Sequence, residues 1–309
     1  MITTYYRNIK DAKLVQLDKF RTGSWIHMQA PTEAELAQVI EKFNLEAGHV
    51  RDALDPDEMP RLETEDDTTY AFMRYSYNHD GRLLTAPVAL IVGPKVLITI
   101  AHQPFPRLEL FTGGKLEVFT TQRAKLFLQL MRHITNTYNT GLNTINRQIR
   151  NARAGLNVTS ISNRNFVQFV VIEDVLNDYL SELLPTNTML TNLLSGKHSL
   201  SFFEEDRDLI EDLVLGTRQS VEASKSNLRT IVNIREAYSN IMTNNLNRQI
   251  KLLTSLTIIL MVPNVIAGFF GMNVPIPLQD VPWAFPLILL STLGLCGYLV
   301  WLFNRRGWL

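Results

Sequence analysis

Polar and apolar positions follow three successive patterns along this 309-residue chain. From Ile2 to about Leu116, short runs of β-branched and aromatic residues alternate with turn residues, as half-buried strands do. Thr3–Ile9, Ser24–Met28, Tyr70–Asn78, Leu83–Val92 and Val96–His102 read as strands. Asp80-Gly81 and Gly93-Pro94-Lys95 read as the turns that join the last three. Pro31-Thr32 followed by Glu35 has the form of a capping box opening a helix through Phe43. An α/β domain with a mainly antiparallel sheet is therefore expected over residues 1–118.

Beyond Phe119 the apolar period lengthens to three and four residues. Gln122–Ala154 places Leu126, Phe127, Leu130, Ile134, Tyr138, Leu142, Ile145 and Ile149 on one helix face, and Phe166–Leu184 repeats the habit. Pro185–Phe203, with Asn187, Ser195, Gly196 and Lys197, reads as a loop or broken helix tip. A third helix starts near Phe203 and meets no proline until Pro263. At 1.5 Å per residue its roughly 60 residues reach about 90 Å, far beyond the thickness of a bilayer. A helical stalk is thus expected over 119–250, continuous with the apolar helix beyond it.

The third pattern is a charge-free run, 252–270, of about 19 residues, long enough to cross most of a hydrocarbon core. Its polarity is ordered rather than scattered. Asn247, Ile250, Thr254, Thr257, Met261, Asn264, Gly268 and Gly271 recur at steps of three and four and share one face. The other positions are large and apolar, Ser255 excepted. Such a stripe serves either close helix packing or a water-lined path. Asparagine favours the second, because an amide facing lipid costs a few kcal/mol, so Asn264 and Asn273 should meet protein or water. A second charge-free span is expected at 283–303, an external loop at 271–282, and Gly294 and Gly297 are expected to pack against the first span. Arg305 and Arg306 lie on the same side as Arg248 and Lys251, which places both termini in the cytosol by the positive-inside rule.

Composition removes several function classes. With 46% hydrophobic and 19% charged residues, the chain is a folded one, and 30 basic against 30 acidic residues give no reason to expect nucleic acid. The single cysteine, Cys296, allows neither an internal disulfide nor a thiolate metal site. His27, His49, His79, His102, His133 and His198 are scattered without ligand spacing, and no phosphate loop or nucleophile elbow is present. An enzyme and an organic cofactor are not expected. The N-terminus lacks the apolar core of a secretory signal, so roughly the first 250 residues are expected in the cytosol. The sequon Asn157-Val158-Thr159 carries no meaning there.

The stretch from Asn247 to Asn273, with Lys251, Leu253, Thr254, Met261, Pro263, Ala267 and Gly268 between and Gly271-Met272-Asn273 at its close, resembles the signature helix of the CorA magnesium channels. Its place at the end of the first of two C-terminal spans makes the likeness specific. The acidic, proline- and arginine-bearing segment Asp55–Arg61, followed by Glu63, Glu65, Asp66 and Asp67, is also similar to a stretch of that family.

The resemblance implies an α+β cytosolic domain, a long helical stalk and a two-helix transmembrane region, assembled as a homopentameric funnel in the cell membrane. It implies passive, potential-driven Mg²⁺ influx through a pore lined by the first span, with Mg²⁺ both transported and regulatory, and Co²⁺ or Ni²⁺ also passing. Its partners would be membrane lipid and copies of itself, with no obligatory protein partner evident. Two spans cannot enclose a pore, so an oligomer is required under this reading.

Gly271, Met272 and Asn273 would form the selectivity filter, with Asn273 contacting hydrated Mg²⁺. Asn247, Thr254, Thr257 and Asn264 offer neutral oxygens that hold a hydrated ion without stripping it, as suits a cation that dehydrates reluctantly. Ile250, Leu253 and Met261 would be apolar constrictions, Gly268 a further lining position, and Pro263 a potential kink. No carboxylate lies in either span, which argues against proton coupling, and a divalent ion gains ~4 to 5 kcal/mol across ~100 mV without ATP.

Counting back from Asn247, Asp212 falls at the family's regulatory stalk acid, with Asp208 nearby and Asp66 or Asp67 as possible partners from the α/β domain. The chain departs from the family pattern at Asn264, at Phe270, and in a loop whose one acid is Asp280. The rival readings are a zinc or cobalt transporter of the same superfamily and, from another class, a membrane-anchored sensor or scaffold.

Overall fold

The computed structural model describes residues 1–154, 163–196, 200, 202–274 and 281–308. Chain contacts divide it into two units, which are described separately: residues 1–155 with 162–233, and residues 234–309.

The first unit is built on a seven-stranded sheet. Its strands are β1 (Ile2–Tyr6), β2 (Val15–Leu17), β3 (Ser24–Gln29), β4 (Arg61–Glu65), β5 (Thr68–His79), β6 (Arg82–Val92) and β7 (Val96–Ala101). The spatial order is β2-β1-β3-β7-β6-β5-β4, antiparallel throughout except where β3 runs parallel to β7. Asp80 and Gly81, with φ of 50° and 83°, make the tight turn of the β5–β6 hairpin, in register His79 opposite Arg82. Gly93-Pro94-Lys95 joins β6 to β7, closed by the Gly93 amide donating to the Val96 carbonyl at 2.9 Å.

Both faces of this sheet are covered, which explains why β5, β6 and β7 are apolar on successive residues rather than alternately. On one side Tyr70, Phe72, Ile98 and Ile100 pack against α1 (Glu33–Phe43) and α2 (Ala47–Asp52) through Leu36, Val39 and Val50. The capping box at Thr32 and Glu35 is formed in full, and α1 stops at Asn44, whose left-handed φ of 52° suits an asparagine. On the other side Met73, Tyr75, Leu90 and Leu97 meet Leu126, Phe127, Leu130 and Ile134 of α4 (Arg123–Ala154). A short α3 (Glu109–Thr112) precedes α4 and buries Phe111 in the same core.

One expectation is corrected here. The segment from Pro185 is not a loop at its start: α5 runs Asn163–Leu194, straight through the proline. Met189, Leu190 and Leu193 beyond it are buried in the sheet's helical face. Three such side chains contribute about 1.5–3 kcal/mol each, more than the roughly 3 kcal/mol that a mid-helix proline costs. Lys197 lies outside the described residues. In the acidic stretch, Arg61–Glu65 forms edge strand β4, paired to β5 from Arg61 opposite Phe72 to Glu65 opposite Thr68. Strand β2, three residues long, has no alternating pattern by which the sequence could announce it.

A charged cluster fastens the helical layer to the sheet. Arg74 of β5 donates from Nε to Glu182 of α5 at 2.7 Å and from Nη1 to the carbonyls of Pro56 and Glu58. The Tyr138 hydroxyl of α4 donates to Glu182 Oε2 at 2.8 Å, and Thr85 of β6 donates to Oε1. Burial raises the Glu182 carboxyl above the ordinary range despite the neighbouring guanidinium and these donors. Every oxygen of this buried carboxylate is thus hydrogen-bonded, the condition under which an interior charge is tolerated.

The second unit holds the end of α6 (Glu204–Phe270), which enters it at Ile234, and α7 (Ala284–Arg305). Both helices are long and apolar enough to cross a membrane, and only 6% of each apolar window is buried within the chain.

Candidate functional site

Between Lys251 and Phe270, the only positions of α6 that are not exposed are Ser255, Ile259, Val262 and Ile266. Their spacing of four, three and four puts them on one side of the helix, and they face α7, where Cys296 Sγ approaches the Ile259 carbonyl at 3.7 Å. The Ser255 hydroxyl donates to the Lys251 carbonyl at 2.7 Å and that of Thr292 to the Ile288 carbonyl at 2.7 Å, so both are satisfied within their own helices. The sequence pattern marked Ser255 only as an exception among apolar positions. Its role as the contact residue of the hairpin needed the partner helix to be seen.

Asn247, Ile250, Thr254, Thr257, Met261, Asn264 and Gly268 lie on the other side. At about 100° per residue, the centre of their stripe falls nearly opposite the α7-facing stripe. All are exposed, as is Leu253. The Thr257 hydroxyl donates to the Leu253 carbonyl at 2.8 Å, leaving its oxygen lone pairs outward. The expected packing glycines on α7 are corrected: Gly294 and Gly297 are exposed, and a Cβ on either would meet nothing within 4 Å. The contact between the helices falls at Thr292 and Cys296 instead; Gly294 is two residues from each, on nearly the opposite side of α7, and Gly297 is one residue beyond Cys296.

The stripe ends at Gly271-Met272-Asn273. The Gly271 amide donates to the Ala267 carbonyl at 2.9 Å and the Met272 amide to Phe269 at 3.3 Å, closing the last turn of α6. A Cβ on Gly271 would lie 3.2 Å from the Ala267 oxygen, so any larger residue crowds this turn. Asn273 follows, exposed, and Pro263 sits within α6 without ending it. Residues 275–280, including Asp280, lie outside the described residues, as does Asn157.

The acids of the first unit are distributed over separate places. Asp208 and Asp212 are exposed on α6, four residues apart; Asp212 borders a cavity of about 240 Å³ together with Arg132, Asn136 and Ser220. Asp66 and Asp67 form the exposed turn between β4 and β5, with Asp66 at φ 49°. Asp67 borders a different cavity, of about 840 Å³, with Arg123, Glu204 and Glu205. Within one chain the two pairs are therefore not brought together. Among the described residues no group of three or more His, Cys, Asp or Glu is placed to hold a metal ion.

The family described as CorA-like Mg²⁺ transporter protein matches residues 21–306 of this sequence. The chain belongs to the CorA family. The cobalt/magnesium transport protein CorA of Methanocaldococcus jannaschii is 23% identical over 291 residues, 92% of this chain and 91% of that protein. The complete structure of the CorA magnesium transporter from the same organism superposes with a TM-score of 0.86 at 22% identity, covering 100% of this chain and 99% of the other. Full-length CmaX follows at a TM-score of 0.74 and 20% identity, covering 98% and 96%. The cytoplasmic domain of ZntB from Vibrio parahaemolyticus reaches 0.63 at 11% identity over 78% of this chain and 98% of that domain. A mixed-sheet domain, a long helix and two C-terminal apolar helices are thus the fold this CorA-family chain shares with the complete CorA structure.

Proposed function

We propose that this CorA-family protein is a magnesium channel of the cell membrane, in which several copies, in the family manner five, surround a pore lined by the first span. The observation that carries the reading is the exposed polar stripe from Asn247 to Asn273, on the side of α6 turned away from its own second span. Amide and hydroxyl groups left without cover by their own chain must meet water or other copies once in a bilayer. A ring of such stripes supplies both.

The chemistry of the lining suits a fully or largely hydrated Mg²⁺. Asn273, Asn264, Thr257, Thr254 and Asn247 present neutral oxygens that accept from or donate to the water shell, hold the ion weakly and release it. The Gly271 turn sets Asn273 at the external end as the filter, with Met272 flanking it. Ile250, Leu253 and Met261 close the path by dewetting. Influx runs down the membrane potential. The same lining admits Co²⁺ or Ni²⁺, whose hydrated ions are similar in form. Internal Mg²⁺ bridges Asp208 or Asp212 of one copy to Asp66 or Asp67 of the next and holds the pore shut.

Purified protein in liposomes tests this directly. Mg²⁺ enters in response to an inside-negative potential, and Asn273→Ala abolishes the flux while the oligomer stays intact. Flux unchanged by that substitution rejects the filter assignment, and Zn²⁺ influx exceeding that of Mg²⁺ transfers the assignment to the zinc reading. Asp212→Ala shifts inhibition by internal Mg²⁺ to higher concentration; a wild-type inhibition curve removes Asp212 from the gate.

A further inference from the structure

Charge in residues 234–309 is unevenly placed. After Glu236 the one acid is Asp280, whereas Arg248, Lys251, Arg305 and Arg306 are all positive. The Cys296–Ile259 contact sets the stagger of two antiparallel helices. Counting eight residues from it along each, back from Ile259 and on from Cys296, reaches Lys251 and Asn304 at the same level, about 12 Å away. Arg305 and Arg306 come directly after, and Arg248 lies one turn beyond Lys251. Arg248 and Lys251 also continue the three-and-four spacing of Ser255, Ile259, Val262 and Ile266, so they lie on the side of α6 that α7 occupies, not on the polar stripe. All four cations are exposed, and none forms an ion pair among the described residues.

Aromatic rings occupy the same level. Trp301 is 53% exposed, with the Arg305 guanidinium 5.4 Å from its ring centre and Tyr298 6.0 Å away. Gly307, at φ 66°, turns the chain back so that Trp308 stacks on Phe303 at 5.5 Å, and the Trp308 amide donates to the Phe303 carbonyl at 2.9 Å. Above them α7 is exposed and apolar through Leu293 and Leu290. In a bilayer, indole rings at the end of an apolar helix sit at the headgroup level, which would bring lipid phosphate within reach of these four cations.

We propose that Arg248, Lys251, Arg305 and Arg306, with Trp301, form a collar that binds anionic phospholipid headgroups in preference to zwitterionic ones. The proposal rests on reading α6 and α7 as membrane spans. The phosphodiester is held by charge and by the guanidinium forks, and the acyl chains lie along the apolar surface of α7.

The test uses the full chain in mixed micelles with phosphatidylglycerol or phosphatidylcholine, with bound lipid counted by native mass spectrometry. Wild-type protein retains phosphatidylglycerol about tenfold over phosphatidylcholine, the order expected of two or more cations at a charged interface. Arg305→Gln with Arg306→Gln loses most of that preference, and Arg305→Lys with Arg306→Lys keeps it. The lysine pair keeps the proposal testable if the glutamine pair fails to fold. Equal retention of both lipids by wild type, preference undiminished in the glutamine pair, or displacement of phosphatidylglycerol by millimolar inorganic phosphate would each overturn it. Mg²⁺ flux measured on the same preparation separates the two readings: flux in phosphatidylcholine vesicles without lipid preference sinks only the collar, while lipid preference without flux sinks only the channel.

Discussion

The sheet unit and the helical hairpin treat polar side chains in opposite ways. In the first, Arg74, Glu182, Tyr138 and Thr85 satisfy one another inside the chain. In the second, Asn247, Asn264 and Asn273 stand exposed with no side-chain hydrogen bond among the described residues. An interior network that is closed supports a structure, whereas an ordered line of open amides needs a counterpart the single chain does not contain. The contrast locates stability in one unit and, under the proposed function, transport in the other.

Opening the closed network has the largest effect on folding. Glu182→Ala leaves a buried guanidinium without its counter-ion and costs about 3–5 kcal/mol, read as a fall in the denaturation midpoint of the full chain in detergent. Arg74→Met combined with Glu182→Leu recovers much of that loss, because the penalty lies in the unpaired charge. A single and a double variant of equal stability would contradict the account.

His27 comes next. Its ring is 3% exposed on β3, with Nδ1 2.8 Å from the Thr99 hydroxyl and Nε2 unpartnered, and burial, aided by the N-terminal ammonium, lowers its pKa from 6.5 to about 4. As pH falls, the unfolded chain takes up the proton first. Stability is complete above the unfolded value of 6.5 and is lost progressively toward pH 4, by about 3 kcal/mol in all. Unfolding midpoints measured across that range should decline for the wild type, and His27→Gln should remove this part of the slope.

Two glycines give the smallest and most pointed comparison. A Cβ on Gly141 in α4 would overlap the Tyr179 hydroxyl, which is hydrogen-bonded to Ser76, so Gly141→Ala destabilises by about 1–3 kcal/mol through overpacking. Gly294 in α7 has open space, and Gly294→Ala is expected to leave flux unchanged and stabilise by up to about 1 kcal/mol through helix propensity. Thermal unfolding of both variants checks the pair. Loss of stability or flux at Gly294 would mean that this face of α7 packs in the assembly and is not given over to lipid.

Much of this was legible from local pattern. The Asp80-Gly81 hairpin, the Thr32/Glu35 capping box and the two charge-free spans depend on residues close in sequence, so short-range physics suffices to read them. The stripe from Asn247 to Asn273 was equally visible, because a helix face is defined by its own period. Pro185 misled for the complementary reason. Its cost is local, while the burial of Met189, Leu190 and Leu193 that outweighs it comes from the sheet and α4, distant in sequence.

By itself the sequence determined the order of elements, the membrane-length helices and the polar line along one of them, because each is encoded in spacing along a single segment. Only the tertiary structure decided that Arg74 meets Glu182, that Ser255 rather than Gly294 or Gly297 marks the contact of α6 with α7, and that the amide-bearing side is left uncovered. Those facts depend on which segments come together, and the free energy that selects the pairing belongs to both partners at once.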